Sequence, residues 1–372
     1  MGMVNQTATR SSKPRTAIIH YWLVGMRGGE RVIERLLHLY PDADVFTHVY
    51  APEAMSSTIR NANVRTSFIQ KLPGAKKHYQ KYLPLMPMAL EELDLRGYDL
   101  VISSESGPAK GVITAPDTRH VCYCHSPMRY LYDHYHDYKA SAGALTRLAM
   151  PYMFHRLRTW DFASAGRVDQ FVANSSFIQK RIEKAYRRDS LVVHPPVATH
   201  LFTPTKDIEA RYLWVGQMTP YKRADIAMEA FNANGLPLLM VGTGEMAEDL
   251  KRRAKPNITI VPHLNFDQLR QAYARCRALI FTAEEDFGIV PVEAMASGRP
   301  VLAYGRGGAL DSIADGETGL FFHEQTVDSL VEGVERLEAW LPDFDPDAAV
   351  RRSQLFAPER FDEGIRAAVG SL

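Results

Sequence analysis

The stretch from Leu279 to Arg299 reads LIFTAEEDFGIVPVEAMASGR and predicts a strand, an acidic loop and the start of a helix. Residues 278–283 form an apolar run of strand length, which is typical of a buried parallel strand. Residues 284–288 are acidic and end in glycine, and helical periodicity follows over residues 289–297. A proline near the helix start is harmless, because the first turn has no partner for its missing N–H. The stretch is therefore one βα unit of an α/β fold.

The start of this helix is a predicted binding point for a ligand that carries both negative charge and hydroxyl groups. Helix starts offer free backbone N–H groups and the positive end of the dipole. Glu285 and Glu293, with seven residues between them, flank that point, and Gly288 lets a ligand approach the backbone closely. Either glutamate alone would be an ordinary solvated side chain. Together they favour a phosphorylated sugar or a nucleotide diphosphate-sugar.

The segment that begins at Glu284, EEDFGIVPVEAMASGRPVLAYGRGGALDSIADGETGLFF, resembles the E-x7-E signature region of the retaining glycosyltransferases of family 4, which have the GT-B fold. The resemblance implies that Glu293 binds the nucleotide ribose and that Glu285 contacts sugar hydroxyls. It also implies that four backbone N–H groups hold the donor phosphates and sugar: those of Phe287, Gly288, Ile289 and Val290.

Composition indicates a two-domain globular protein without a general affinity for nucleic acid. The chain has 372 residues, of which 46% are hydrophobic, and 44 basic against 43 acidic side chains give a net charge of +1. Cys122, Cys124 and Cys276 lack the spacing of a zinc site or a redox pair, which predicts reduced, buried thiols in a cytosolic protein.

The first fourteen residues are polar and lack the apolar core of a signal peptide, so we expect them to be disordered. No apolar run reaches the roughly 20 residues that span a bilayer. Any contact with a membrane is therefore expected to be peripheral.

A glycine-rich loop follows the first predicted strand, Thr16 to Trp22, and precedes a helix over residues 31–39. The backbone N–H groups of Gly28 and Gly29 are placed to approach a phosphate. The loop is not G-x-G-x-x-G, and the second strand, over residues 44–50, has no acid at its tip for a dinucleotide ribose. An NAD-binding interpretation is weakened accordingly. The family resemblance implies that Gly28 and Gly29 touch the donor diphosphate.

Two further predicted strands end in candidate loops. A strand over residues 98–103 leads into a loop from Ser103 to Gly107, and His125 ends a strand over residues 120–125 beside a proline-fixed turn. The resemblance implies that this histidine hydrogen-bonds the transferred sugar. The stretches VCYCHSPMRYLYDHYHDY and HYWLVGMRGGERV resemble the WbaZ-type O-antigen/exopolysaccharide mannosyltransferases. His134 and His136 lack a third ligand and do not predict a metal site, so the run 130–138 is expected to pack or to face the acceptor.

A basic and aromatic segment, residues 65–94, leaves two interpretations open. Its lysines alternate with tyrosines, leucines and methionines, which suits an anionic membrane interface. The same pattern fits a packed helical excursion whose lysines face water.

The second half restarts the α/β pattern with a strand over residues 211–216. Lys222 and Arg223 follow it, where they would neutralise a leaving diphosphate. The family pattern here is G-R-L-x-x-x-K-G, and Lys222 matches its phosphate-binding lysine. Gln217 stands in place of the arginine, and Arg223 in place of the second glycine. After a later strand, over 257–261, the family lays the nucleobase against backbone, which implicates His263 and Leu264.

We expect an α/β protein of the GT-B class, with two Rossmann-like, doubly wound domains facing across a cleft. Residues 15–195 are predicted to bind the acceptor, and residues 205–355 the nucleotide-sugar. The proline-rich stretch between them is the expected linker. A C-terminal helix, about 356–372, is expected to cross back to the first domain and complete it.

The predicted activity is retaining transfer of a sugar, mannose from GDP-mannose, to a lipid-linked oligosaccharide in surface polysaccharide synthesis. Glu285, His125 and Lys222 are the predicted catalytic residues. No metal or other cofactor is expected, and the enzyme would bind the inner, cytoplasmic face of the membrane peripherally. Alternatives are a fucosyl-, rhamnosyl- or glucosyltransferase of the same family, an NAD-dependent oxidoreductase, and a non-catalytic sugar-binding protein.

Overall fold

The computed structural model describes residues 14–370, which form two β-sheets with helices between their strands. The strands of the first sheet are β1 (Thr16–His20), β2 (Asp44–Thr47), β3 (Asn63–Thr66), β4 (Leu100–Glu105), β5 (Arg119–Cys124), β6 (Gln170–Ala173) and β7 (Ser190–Val192). The strands of the second sheet are β8 (Tyr212–Val215), β9 (Leu238–Val241), β10 (Ile258–Val261), β11 (Leu279–Phe281), β12 (Val301–Tyr304) and β13 (Gly319–Phe322). The expected disorder of residues 1–14 lies, except for Pro14, outside the described residues.

Fifteen α-helices lie in the described part of the chain, with short 3₁₀ turns among them. They are α1 (Gly28–Leu39), α2 (Ser57–Asn61), α3 (Ala75–His78), α4 (Met86–Glu91), α5 (Tyr135–Ser141), α6 (Ala144–Ser164), α7 (Ser176–Tyr186), α8 (Ala224–Asn234), α9 (Ala247–Arg253), α10 (Phe266–Arg275), α11 (Ile289–Ala296), α12 (Ala309–Ser312), α13 (Val327–Trp340), α14 (Pro346–Ser353) and α15 (Pro358–Val369). Among residues 14–370, none of the helices combines the length and the apolarity needed to cross a bilayer.

Both sheets have the strand order of doubly wound α/β folds. The orders are β3-β2-β1-β4-β5-β6-β7 and β10-β9-β8-β11-β12-β13. All five neighbouring pairs of the second sheet are parallel. The order of the strands changes direction at one point in each sheet, between β1 and β4 in the first and between β8 and β11 in the second. Doubly wound folds bind ligands beyond the carboxyl ends of the strands at that point. The predicted doubly wound α/β fold is confirmed.

The strands form because their apolar runs are buried on both faces, as parallel sheets require. All five residues of β1 are buried, and so are all three of β11. In the second sheet, β11 lies at the centre of two apolar clusters: Leu279 and Phe281 point into one, and Ile280 points into the other. The loop after β11 is therefore fixed at its base by a rigid strand.

The chain is divided into two compact units. One holds the described residues up to 124, residues 128–171 and those from 368 onward, and the other holds residues 125–127 and 172–367. Residues 172–195, which include β7, are thus grouped with the later part of the chain. The domain boundaries at 195 and 205, and the crossing of the C-terminal helix, remain predictions.

Strand β4 extends further than the sequence indicated. A loop was predicted from Ser103 to Gly107, but β4 continues to Glu105, whose side chain is fully buried. Lys110 makes this burial tolerable, because its Nζ lies 2.8 Å from Glu105 Oε1 and also contacts the buried Asp161. Burial raises the pKa of Glu105. The Glu105 carboxylate is thus part of a buried ionic cluster.

The aromatic run 130–138 has a packing role. Tyr130, Tyr132 and Tyr135 lie against an apolar cluster of the loop before α5 and of α6. The Tyr132 hydroxyl donates a 2.7 Å hydrogen bond to Asp161 Oδ2. In residues 65–94, four apolar side chains likewise pack inward, namely Phe68, Leu72, Tyr79 and Tyr82. The lysines of the segment are exposed: Lys71, Lys76, Lys77 and Lys81.

Candidate functional site

The loop between β11 and α11 has the geometry predicted from its sequence. Gly288 adopts a φ of 89°, a region that favours glycine, and it immediately precedes α11. The helix begins at Ile289, as expected, and Glu293 is its fifth residue. The first N–H groups of α11 lack partners within the helix and therefore form the positive end of its dipole.

Glu285 and Lys222 meet beside this helix start. Lys222 Nζ contacts Glu285 Oε1, and their side chains are 18% and 20% exposed. Two successive hydrogen bonds fix the backbone of Lys222. Thr282 Oγ1 donates to the Lys222 carbonyl at 2.8 Å, and Trp214 Nε1 donates to Thr282 Oγ1 at 3.1 Å. The structure therefore brings together two of the three predicted catalytic residues as a partly shielded ion pair.

Glu293 is oriented by a residue that the sequence did not single out. Tyr273, on α10, is fully buried and donates a 2.7 Å hydrogen bond from its hydroxyl to Glu293 Oε2. Burial, and then the charge of Glu293, raise the pKa of Tyr273 well above its ordinary value. The tyrosine is consequently a neutral donor, which fixes one carboxylate oxygen of Glu293.

Two glycines allow the loop after β12 to pack on the Glu285 loop. The Gly308 N–H donates a 2.8 Å hydrogen bond to the Glu285 carbonyl. A Cβ at Gly308 would overlap Phe287 Cα, and one at Gly307, whose φ is 68°, would overlap the Glu285 carbonyl. The backbone around Glu285 is therefore supported by a contact that only glycine permits.

The start of α7 contributes contacts that sequence reasoning missed. Ser175 caps α7 by accepting a hydrogen bond from the Ile178 N–H, and its hydroxyl also donates to the Asp286 carbonyl. The Ser176 N–H donates a 2.6 Å hydrogen bond to Asp311 Oδ2, and its hydroxyl contacts Asp311 Oδ1. Arg181 Nη1 lies 3.4 Å from Asp286 Oδ1. These contacts join residues more than one hundred positions apart, so no local pattern revealed them.

Arg223 occupies the backbone conformation for which the family pattern has glycine. Its φ is 54°, in the left-handed region, and it precedes α8. Its guanidinium pairs with Asp225, with Nη2 at 3.2 Å from Oδ2, and Nη1 donates to the Gln325 carbonyl at 3.4 Å. The charge of Arg223 is thus partly matched within the protein. Gln217 follows β8 and is exposed.

Three of the remaining predicted residues lie just after the carboxyl ends of strands. His263 is exposed and Leu264 is half-buried, just after β10, where Leu264 packs on the core of the second sheet. His125 follows β5 directly and is half-buried. Gly28 and Gly29 are the first two residues of α1.

A cavity of about 130 Å³ lies beside the start of α1, in the first unit. Its lining includes Trp22, Arg27, Glu30 and Ser106. Glu30 closes a capping interaction by accepting a 2.8 Å hydrogen bond from the Arg27 N–H. No group of three or more His, Cys, Asp or Glu side chains within residues 14–370 is arranged to hold a metal ion.

Two family models match adjoining parts of the chain. The model described as Glycosyltransferase Family 4 matches residues 26–201, and the model described as Glycosyl transferases group 1 matches residues 202–340. The chain belongs to these family 4, group 1 glycosyltransferases. The second match contains Lys222, Glu285 and Glu293, the residues that the structure gathers near the start of α11.

Curated relatives are distant. The chain is 25% identical to the alpha-1,3/1,6-mannosyltransferase of Schizosaccharomyces pombe, over 85% of this chain and 72% of the relative. It is 24% identical to an uncharacterized glycosyltransferase of Methanocaldococcus jannaschii, over 45% of this chain. That match spans about half of the relative, 49% of its length. A D-inositol 3-phosphate glycosyltransferase of Mycolicibacterium smegmatis is 30% identical over 41% of each chain.

Solved structures share the fold over nearly the whole chain. The Anabaena protein Alr3699/HepE, in complex with UDP and glucose, aligns with a TM-score of 0.70 at 16% identity, covering 97% of this chain and 100% of its own. The lipopolysaccharide outer core galactosyltransferase WaaB aligns with a TM-score of 0.66 at 17% identity, covering 95% of this chain and 99% of its own. The predicted GT-B fold class is confirmed.

Proposed function

We propose that this glycosyltransferase transfers mannose from GDP-mannose, with retention of the anomeric configuration, to a lipid-linked oligosaccharide in surface polysaccharide synthesis. The observation that carries the donor site is the Lys222–Glu285 pair, held beside the first turn of α11 and close in sequence to the tyrosine-bound Glu293. A cation, a helix start and two carboxylates suit a ligand that combines a diphosphate with sugar hydroxyls.

Each residue of the site has a proposed role. Glu293 accepts hydrogen bonds from the ribose hydroxyls, and the hydrogen bond from Tyr273 holds its carboxylate in place. Glu285 accepts from hydroxyls of the transferred sugar and keeps Lys222 directed at the diphosphate. The N–H groups of residues 287–290 bind the diphosphate oxygens, and His125 donates to the sugar. His263 and Leu264 border the nucleobase.

The proposed reaction replaces one carbon–oxygen bond with another and transfers one proton. An acceptor hydroxyl oxygen bonds to the anomeric carbon on the face from which the diphosphate departs, the carbon–oxygen bond to the phosphate breaks, and a phosphate oxygen takes the hydroxyl proton. Negative charge builds on the leaving diphosphate, where Lys222 and the helix start stabilise it without a metal ion. Arg223, the next residue after Lys222, adds a second cation. It supplies the positive charge that is lost because Gln217 stands in place of the family arginine.

The mannosyl donor is supported by the named activity of the Schizosaccharomyces relative, and by a second relative from Dictyostelium discoideum with the same description, 26% identical over 42% of this chain. A uridine-diphosphate sugar is the second candidate, supported by the UDP-glucose complex of the Anabaena protein. The resemblance to WbaZ-type enzymes supports the polysaccharide acceptor and a location at the inner face of the cytoplasmic membrane.

A thermal-shift panel with GDP, UDP, GDP-mannose, UDP-glucose and NADH tests the donor. A ligand at about 100 times its Kd stabilises the folded state by about 2.7 kcal/mol, which raises Tm visibly. We expect a shift with the guanosine compounds that Glu293→Ala abolishes. A shift confined to uridine compounds would replace the donor and keep the family, and a shift confined to NADH would remove the transferase proposal.

A further inference from the structure

The first two turns of α6 are exposed to solvent on all sides. Every residue from Gly143 to Ala149 is exposed, and burial begins only at Met150. Leu145, Leu148 and Tyr152 are 86%, 82% and 71% exposed. Their spacing of three and four residues puts them on one face of the helix. These three side chains are called the α6 stripe below.

The side chains of the α6 stripe are more exposed than the other large apolar side chains at the surface. Across the described residues, the remaining exposed large hydrophobic side chains are between 36% and 54% exposed. Single, partly exposed apolar residues are normal on a folded protein, whereas a contiguous group indicates an interaction surface. Two almost fully exposed leucines one turn apart on a helix therefore form a candidate interaction surface.

The exposed charges on α6 are positive. Lys139, Arg147, Arg156 and Arg158 lie between residues 138 and 160, and the sequence has no aspartate or glutamate in that interval. Arg147 is exposed and donates hydrogen bonds to the carbonyls of Ala140, at 2.9 Å, and Ala142, at 3.0 Å, which hold its guanidinium near the start of α6. The occupant of this surface should accordingly be apolar and anionic.

The lysine-bearing segment 65–94 adjoins α6. Leu83 packs against the apolar cluster that includes the buried side of α6, at Met150, Phe154 and Leu157. Lys77 and Lys81, near Leu83 in the chain, are exposed. The positive charge around α6 is thus reinforced by a neighbouring element.

We propose that the α6 stripe inserts into the interface of an anionic phospholipid bilayer, with the surrounding arginines and lysines on the headgroup phosphates. An exposed apolar helix face bordered by cations is the pattern of interfacial membrane binding. The proposal deepens the proposed function, since a lipid-linked acceptor has to be reached at a membrane. It places the main contact on α6, whereas segment 65–94 contributes charge.

A second copy of the chain fits this surface less well. The stripe extends over about two helical turns, roughly 11 Å, and a helix pair needs about three or four heptads to be stable. A symmetric contact would also bring like charges together, because the exposed Arg156 lies one turn beyond Tyr152 on the same face of the helix.

Vesicle co-sedimentation of the full-length protein tests the proposal. The vesicles contain either phosphatidylcholine alone or phosphatidylcholine with about one-third phosphatidylglycerol. We expect binding to the anionic vesicles, weakened at least about tenfold by Leu145→Ser combined with Leu148→Ser, because burial of each leucine adds substantially to partitioning. Each basic residue should contribute up to about fivefold, so raising the salt concentration should also weaken binding.

Two matched variants locate the contact. Leu355→Ser changes an exposed leucine elsewhere, 48% exposed, and should leave vesicle binding unchanged. Leu85→Ser with Met88→Ser changes the apolar side chains of the neighbouring segment and should have a smaller effect than the α6 pair. Loss of binding only in that second pair, equal binding to both vesicle types, or no binding at all would overturn the proposal.

Light scattering tests the remaining alternative, a dimer formed through the α6 stripe. If the wild type is a dimer that Leu145→Ser with Leu148→Ser converts to a monomer, the stripe is a subunit interface and the membrane proposal fails. Vesicle binding requires no nucleotide, so its result is independent of the donor panel. Failure on vesicles would leave the transferase proposal standing, and failure of the panel would leave the membrane surface standing.

Discussion

The Tyr273 hydroxyl donates a 2.7 Å hydrogen bond to Glu293 Oε2, and this contact predicts the effect of Tyr273→Phe. A hydrogen bond to a charged group contributes about 1.5–3 kcal/mol, part of which here orients Glu293 toward the ligand. We expect nucleotide-sugar affinity, measured by calorimetry, to fall about tenfold. Tyr212→Phe is the control, because Tyr212 also bonds a carboxylate, that of Glu338. It should lower Tm without changing affinity, and equal affinities for both variants would contradict the role given to Glu293.

The contact of Lys222 with Glu285 predicts that Glu285→Gln impairs catalysis more than folding. The amide keeps the shape of the side chain but loses the charge that holds Lys222. We expect transfer from the nucleotide-sugar to fall by a factor of about 10²–10³, comparable to the loss of one transition-state donor, while Tm changes little. Glu284→Gln, the adjacent residue in the loop, serves as the control in the same radiolabelled transfer assay. A Glu285→Gln enzyme with wild-type turnover would remove Glu285 from the site.

The close approach of Gly308 to Phe287 predicts that Gly308→Ala damages the site through the backbone. The added Cβ would overlap Phe287 Cα, so the loop that carries Glu285 has to shift. We expect a loss of about 1–3 kcal/mol in the free energy of unfolding, together with weaker nucleotide binding. Gly166→Ala adds the same methyl group where no heavy atom lies within 4 Å, and it should preserve both properties. Intact binding in Gly308→Ala would show that the loop tolerates displacement.

Much of the site was predictable because it is local in sequence. The apolar run of β11, the glycine and the helical pattern after it sufficed to place the start of α11 and the position of Glu293 within it. Tyr273 and Asp311 were not predictable, since their contacts with Glu293 and Ser176 join residues 20 and 135 positions apart. Glu105 was misplaced in a loop for the same reason: its burial depends on Lys110 and Asp161, which the fold supplies.

The conformation of Arg223 predicts a difference between two glycine substitutions. Arg187 and Arg223 are the two non-glycine residues with positive φ in the range 14–370, both at 54°. Such a conformation costs roughly 1–2 kcal/mol, which glycine relieves. Arg187→Gly should therefore raise the free energy of unfolding by about 1 kcal/mol. Arg223→Gly should be closer to neutral, because it also loses the pair with Asp225.

Nucleotide binding distinguishes the same two variants. If Arg223 adds positive charge near the diphosphate, Arg223→Gly weakens GDP binding several-fold in calorimetry at low salt, and Arg187→Gly leaves it unchanged. Equal affinities in the two variants would assign Arg223 to local structure alone.

Two buried histidines predict that the protein loses stability in mild acid. Burial lowers the pKa of both His48 and His120 from 6.5 to about 4. Between those values the unfolded chain binds more protons than the folded one, so stability falls as the pH falls from about 6.5 to about 4. Each histidine should lower the free energy of unfolding by about 2 kcal/mol when the pH falls from about 7 to about 5.

Urea unfolding of wild type and His120→Gln at those two pH values isolates one histidine's share of this loss. His120 Nδ1 donates a hydrogen bond to the Arg167 carbonyl at 3.2 Å, and Nε2 accepts one from the Ser103 hydroxyl at 2.9 Å, so the variant should be less stable at both pH values. The decisive quantity is the difference in the free energy of unfolding between the two pH values, which should be about 2 kcal/mol smaller in His120→Gln than in the wild type. His136→Gln, with an exposed side chain, should retain the wild-type difference. An unchanged difference in His120→Gln would mean that protonation of His120 is not linked to unfolding.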